Sequence, residues 1–80
     1  MNQLKYGQRL KKRRKQIGFS EMYVAKKLNI STLAYRSIEE SRFVPTDRII
    51  TRLARLYGLP KELIRIWVYK TTRRSKIVIK

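Results

Sequence analysis

The side chains of this chain that can do chemistry are almost all cations. Lysine and arginine number 21 against 5 aspartates and glutamates, a formal charge of +16 with an isoelectric point near 11.1. Neither cysteine nor histidine is present. That removes disulfides, thiolate nucleophiles, Cys/His zinc sites and imidazole general bases together. The carboxylates are Glu21, Glu39, Glu40, Asp47 and Glu62. They are too few to build a catalytic dyad or a hard-metal cage and still serve the helix ends and ion pairs that need them. An enzyme is therefore not expected, nor a metal or a cofactor. Charge of one sign implies a polyanionic partner, although it can also serve solubility alone. One stretch has a finer texture: Thr32, Leu33, Arg36 and Ser37 bring a bare leucine, a guanidinium and two hydroxyls close together. In a duplex groove a leucine packs against a thymine methyl, an arginine reaches guanine O6 and N7 or a phosphate, and hydroxyls bond a base edge.

Those four residues need a helix that turns them the same way. Ser31 is a good helix N-cap, and Tyr35 and Ile38 at i, i+3 form an inward pair, so a helix is predicted from Ser31 to about Glu40. Its outward arc then holds Leu33, Arg36, Ser37 and Glu40, with Thr32 at the N-terminal edge. Ahead of it, Ser20 caps a second short helix whose Val24, Ala25 and Leu28 share a face. Asn29 stands where a tight turn wants a residue tolerant of positive φ, and Ile30 points back inward. Two short helices joined by a few residues, with a small Ala25 at their crossing, outline a helix-turn-helix.

At these residues the chain resembles a known family. Phe19-Ser20-Glu21, Val24-Ala25, Leu28-Asn29-Ile30-Ser31, Tyr35, Ile38-Glu39 and Pro45 look like the helix-turn-helix of the lambdoid phage repressor and Cro type, often called the XRE family. The likeness extends to Gly7, Leu10 and Arg14 upstream and to Ile50, Leu53-Ala54 and Tyr57-Gly58-Leu59 downstream, so it covers nearly the whole chain up to Leu63. It implies an all-α, five-helix repressor-like bundle whose partner is double-stranded DNA. It also implies base contacts from Thr32, Leu33, Arg36 and Ser37 and a phosphate contact from Arg42; Arg9, Lys12, Ser20, Ser31 and Arg52 are expected to contact phosphates as well. A buried or half-buried pair between Arg14 and Glu39, each at the edge of an apolar stripe, is a further implication. Three positions depart from the pattern. Asn29 and Ser41 replace turn glycines, and Glu21 replaces a glutamine that usually contacts a phosphate, where a carboxylate repels one.

The rest of the chain fits one small domain, residues 1–70, followed by a basic tail, residues 71–80. A first helix ends at Gly18, with Tyr6, Leu10 and Ile17 within about 40° on the helical wheel. Arg9 and the run Lys11 to Lys15 make a solvated or nucleic-acid-facing surface, with Arg14 as the exception. Phe43, in the loop before Pro45, packs on the core or touches a sugar. A fourth helix starts at Thr46 or Asp47, turns Ile50, Leu53, Ala54 and Tyr57 inward, leaves Arg48, Arg52 and Arg55 outside, and ends at Gly58. A fifth, with Pro60 placed at its start, runs from Lys61 to about Lys70. Leu63, Ile66 and Trp67 are expected to close the core, leaving Ile64, Val68 and Tyr69 as apolar surface for a second copy of the helix or for the tail. The tail carries Ile77, Val78 and Ile79, which can pair as a strand across a two-fold, pack on helix five or form a basic arm. Dimerisation is thus assigned to Ile64, Trp67, Val68, Ile77 and Ile79. No run long enough to span a membrane and no signal-peptide core is seen, so a cytosolic, nucleoid-associated protein is expected. The expected function is a sequence-specific dimeric transcriptional regulator, a repressor reading an inverted repeat, with no small-molecule effector. The alternative is an architectural or recombination and conjugation accessory protein of low sequence preference.

Overall fold

The computed structural model describes residues 5–72. They form five helices: α1 Tyr6–Ile17, α2 Glu21–Leu28, α3 Thr32–Glu39, α4 Asp47–Tyr57 and α5 Lys61–Thr72. No strand occurs among the described residues. Each helix end has a local cause. Ser20, Ser31 and Thr46 accept bonds from the backbone N–H groups of Tyr23, Ala34 and Ile49, three residues on, which satisfies one otherwise orphaned donor per helix. Gly18 at φ 96° and Gly58 at φ 66° close α1 and α4 in the left-handed region. Asn29, at φ 61°, does the same for α2, as its side chain allows, and Ser41 adopts φ 61° after α3. Pro60 precedes α5, and its carbonyl accepts from Leu63 N–H at 3.0 Å.

Helix α1 packs on α3, α4 and α5, while α2 packs on both α3 and α4 and stands between them. The core comprises Tyr6, Leu10, Val24, Ala25, Leu28, Tyr35, Ile38, Ile49, Ile50, Leu53, Ala54, Tyr57, Ile64 and Val68. Gly7 allows the α1–α3 crossing, because a Cβ there would lie 2.2 Å from the Glu39 carbonyl oxygen. The Gly7 N–H is bonded to Ser41 Oγ at 3.1 Å, which ties the loop after α3 to the start of α1.

Three apolar expectations change. Ile64 and Val68 are fully buried within the protomer, whereas Ile66 is 52 % exposed and Leu63 and Trp67 are half-buried. Helix α5 is thus rotated relative to the sequence reading, and Ile64 and Val68 are core residues with no surface to offer a second copy. Contacts on both flanks of the helix accompany this rotation. Lys61 and Arg65 bond Asp47 at the start of α4, and Trp67 lies under the Arg9 guanidinium at 5.6 Å from α1. With about 100° per residue, those anchors leave only the 64/68 stripe facing inward. Ile17, on the last residue of α1, is 37 % exposed, and Phe19 beyond the turn packs on the core instead. Phe43 keeps its ring 42 % exposed; its backbone is what the fold holds, through the Tyr6 hydroxyl donating to the Phe43 carbonyl at 3.1 Å. Helix α5 also continues to Thr72, two residues into the segment read as a tail. Residues 73–80, with Ile77 and Ile79, lie outside the described residues.

Candidate nucleic-acid interface

The α2–turn–α3 unit is closed by the chain's own backbone. Asn29 N–H bonds the Lys26 carbonyl at 3.1 Å and Ile30 N–H reaches back to the Ala25 carbonyl at 3.0 Å, so α3 starts at a fixed angle with three residues between it and α2. Tyr35, Ile38 and Glu39 occupy the buried side of α3. The opposite side carries Leu33, 70 % exposed, and Arg36, whose side chain is half exposed. Thr32 and Ser37 are half-buried at the margins of this face, and Glu40 is exposed. The four residues expected to read bases therefore do share one exposed side of a short, well-anchored helix. The Ser20 and Ser31 hydroxyl oxygens accept from their helix N-termini at 3.0 Å. A hydroxyl in that position still has its own proton to donate, which suits a phosphate oxygen.

Beneath this face lies a buried polar cluster. Arg14 Nε donates to Glu39 Oε2 at 2.6 Å, Nη2 to Oε1 at 3.2 Å, and Nη1 to the Phe19 carbonyl at 2.9 Å. One guanidinium thus joins α1, the entrance to α2 and the end of α3. The hydrogen bond to Glu39 raises the Arg14 guanidinium above its ordinary value, against burial, which lowers it. Next to it, the Tyr35 and Tyr57 hydroxyls lie 2.6 Å apart. Burial pushes the Tyr57 phenol up to about 12 and the Tyr35 phenol further still. Among the described residues no buried side-chain nitrogen or oxygen lacks a hydrogen-bond partner. A pair of this kind fixes geometry more than it adds stability, since desolvation offsets the Coulomb gain.

The remaining cations fall into separate places. Arg42 is exposed in the loop after α3, with Glu40 at 3.5 Å. Arg9 and Lys12 line a groove of about 230 Å³ with Trp67 and Leu59, on the α1/α5 side of the molecule. Arg52 lines a larger cleft of about 500 Å³ between α2 and α4, together with Tyr23, Lys27, Arg55 and Leu56. The expected phosphate-binding residues thus lie apart: Ser20, Ser31 and Arg42 on the α2–α3 unit, Arg52 in the cleft that α4 makes with α2, and Arg9 and Lys12 on the α1/α5 side.

Three polar arrangements escaped the sequence reading. Arg13, within the basic run Lys11 to Lys15, donates from Nε and Nη2 to the Tyr57 carbonyl at 3.1 and 2.9 Å and so closes the C-terminus of α4. Asp47 holds Lys61 at 3.1 Å as well as Arg65, and these cations, Lys61 first, depress its carboxyl below the ordinary carboxylate range. Glu21, at the first position of α2, receives Arg36 Nε and Nη2 at 3.2 and 3.0 Å. A signal for the last two existed. Neither carboxylate has a lysine or arginine three or four residues away in either direction along its own helix, so each partner had to come from another element.

Among the described residues, no helix is long and apolar enough to cross a membrane. Comparison with curated proteins and with solved structures returns no match. A family model described as a helix-turn-helix domain matches residues 5–67, all five helices apart from the end of α5. The match suggests a DNA-binding regulator, in a family that is typically non-enzymatic, and it spans well over half of the 80 residues. The chain belongs to the helix-turn-helix domain family.

Proposed function

We propose that the protein is a dimeric, sequence-specific transcriptional regulator of the phage-repressor type that represses by occluding a promoter. In this reading α3 enters the major groove. Thr32, Leu33, Arg36 and Ser37 meet base edges, while Ser20, Ser31 and Arg42 bind the flanking phosphates and Arg9, Lys12 and Arg52 add charge. The observation that carries it is the outer side of α3: a leucine 70 % exposed beside an arginine, on a helix whose other side is locked into the core. With Ile64 and Val68 internal, the surface of α5 that supports dimerisation is Ile66, with Tyr69 and half-buried Trp67 near it. A second copy on this surface sets two α3 helices on successive turns of an inverted repeat.

Leu33→Ala and Arg36→Ala each lower affinity for duplexes selected from a random pool by roughly tenfold or more, the worth of one good base contact, and leave affinity for unselected DNA little changed. Equal losses on both DNAs would instead favour an architectural protein. One observation supports that second reading: Lys27, Arg52 and Arg55 line a cleft between α2 and α4, and none of the three forms an ion pair with a carboxylate among the described residues. Footprinting separates the two, since a regulator protects a bounded palindrome and an architectural protein spreads along the duplex.

A further inference from the structure

Glu21 is the one acidic residue in the first turn of α2, at the place where a helix N-terminus would otherwise receive an anion. A carboxylate facing a phosphate there costs binding, so its presence on a chain of charge +16 calls for a separate role. Its geometry supplies one. Glu21 Oε1 accepts from both Nε and Nη2 of Arg36, and its other oxygen lies 3.9 Å from Arg14 Nη2. Arg14 is in turn locked to Glu39 and the Phe19 carbonyl, so the carboxylate is braced from the core side. Its side chain is 26 % exposed against 50 % for Arg36, so the acid is the fixed partner and the guanidinium the one it holds.

We infer that Glu21 is a positioning residue for base selection. It grips the Nε–Nη2 edge of Arg36 and leaves the Nη1–Nη2 fork presented outward from α3. The guanidinium has five donors in a fixed plane, and two are engaged. The remaining end-on fork matches two acceptors side by side, the arrangement that guanine N7 and O6 offer in the major groove and a phosphate offers without sequence preference. An unrestrained arginine can swing to either. One held at its inner edge loses the phosphate-directed rotamers and keeps guanine. Glu21 also cancels a positive site at the α2 N-terminus that would add affinity for any DNA. Both effects raise discrimination at the expense of general affinity. This inference rests on the proposed reading of DNA by α3.

The test uses the full chain and duplexes recovered from a random pool by the wild-type protein, with each recurrent guanine replaced in turn by adenine or 7-deazaguanine. Glu21→Gln is expected to cut the preference for guanine at one position by about tenfold. It should also strengthen binding to unselected duplex DNA, with a salt dependence steeper by about one phosphate contact. Arg36→Ala removes the same guanine preference, and adding Glu21→Gln to Arg36→Ala changes that preference no further. If Arg36→Ala loses the preference and Glu21→Gln keeps it, the positioning role is overturned while α3 readout stands. If neither variant alters any base preference although both fold, the reading of a base by Arg36 falls, and the inference with it, while Leu33→Ala on the same duplexes decides whether α3 reads bases at all. Thermal melts of both variants separate these outcomes from loss of fold.

Discussion

The molecule handles its scarce carboxylates in opposite ways at its two ends. Between α1 and α3, Glu39 has a side chain 3 % exposed and is bonded through both oxygens to Arg14. Between α4 and α5, Asp47 has a side chain 54 % exposed and draws in Lys61 and Arg65 from solvent. The chemistry is the same, a carboxylate on a cation, but the consequence differs. At the buried end the alternative to pairing is an uncompensated charge in the core, so the contact cannot be given up once the helices close. At the exposed end the alternative is water, so the contact guides the setting of α5 without holding the fold. Glu21, 26 % exposed, lies between these cases, as the proposed orienting of Arg36 requires.

The buried end should therefore give the largest effects. Glu39→Gln strands the Arg14 guanidinium and is expected to cost about 3–5 kcal/mol, a large share of the stability of a small domain. Replacing both partners, Arg14→Met with Glu39→Leu, should recover much of that loss, because no charge is left unpaired. Urea denaturation of the single and double variants measures both. A single variant as stable as wild type would erase the distinction between the two ends.

The same contrast explains what could be seen in the sequence. Ser20, Asn29, Ser31, Thr46 and Gly58 announce helix ends because capping is chemistry within three or four residues, and all five act in that way. The HTH unit was legible for that reason, and so was the side of α3 that faces out, since Tyr35 and Ile38 leave it no choice. Helix α5 was not. Its Leu63, Ile64, Ile66, Trp67, Val68 and Tyr69 run apolar most of the way round, so periodicity cannot choose a rotation. The rotation is set by contacts with elements distant in sequence: Ile64 and Val68 pack into the shared core, and Asp47 and Arg9 flank them. Gly7 was visible only as a residue shared with a family; the Glu39 carbonyl that excludes a Cβ there belongs to another helix.

Titration should separate the ends next, with a smaller effect. The Tyr35 and Tyr57 phenols are raised by burial, Tyr57 to about 12 from an ordinary 10.0. The folded state thus keeps protons that the unfolded chain gives up, so their contribution is complete below pH 10 and is lost as pH climbs from there towards 12. Each such group lowers stability by about 1.4 kcal/mol per pH unit across that window. Tyr57→Phe should lessen this alkaline loss, at a cost near neutral pH of about 1 kcal/mol for the missing hydrogen bond. Unfolding midpoints followed from pH 8 to 11.5 measure it, and an unchanged alkaline limb would show that the phenols do not control it.

Asp47→Asn should have the smallest effect, and its manner matters more than its size. The wild-type carboxyl is held below its ordinary 3.8, so its contribution is present above that value and fades as pH falls through the lowered one. Because the group is open to solvent, salt should weaken the contact too, with a screening length of about 3 Å in 1 M salt. The variant should melt slightly lower than wild type in dilute buffer at pH 7, and the gap should close in 1 M salt or as pH falls through the lowered value. The rotation of α5 is expected to survive, since Ile64 and Val68, once buried, hold it by packing. Should Asp47→Asn instead expose Ile64 or Val68, seen as faster amide exchange confined to α5, the exposed clamp would prove as indispensable as the buried pair. The difference in burial would then no longer predict which carboxylate the fold can spare.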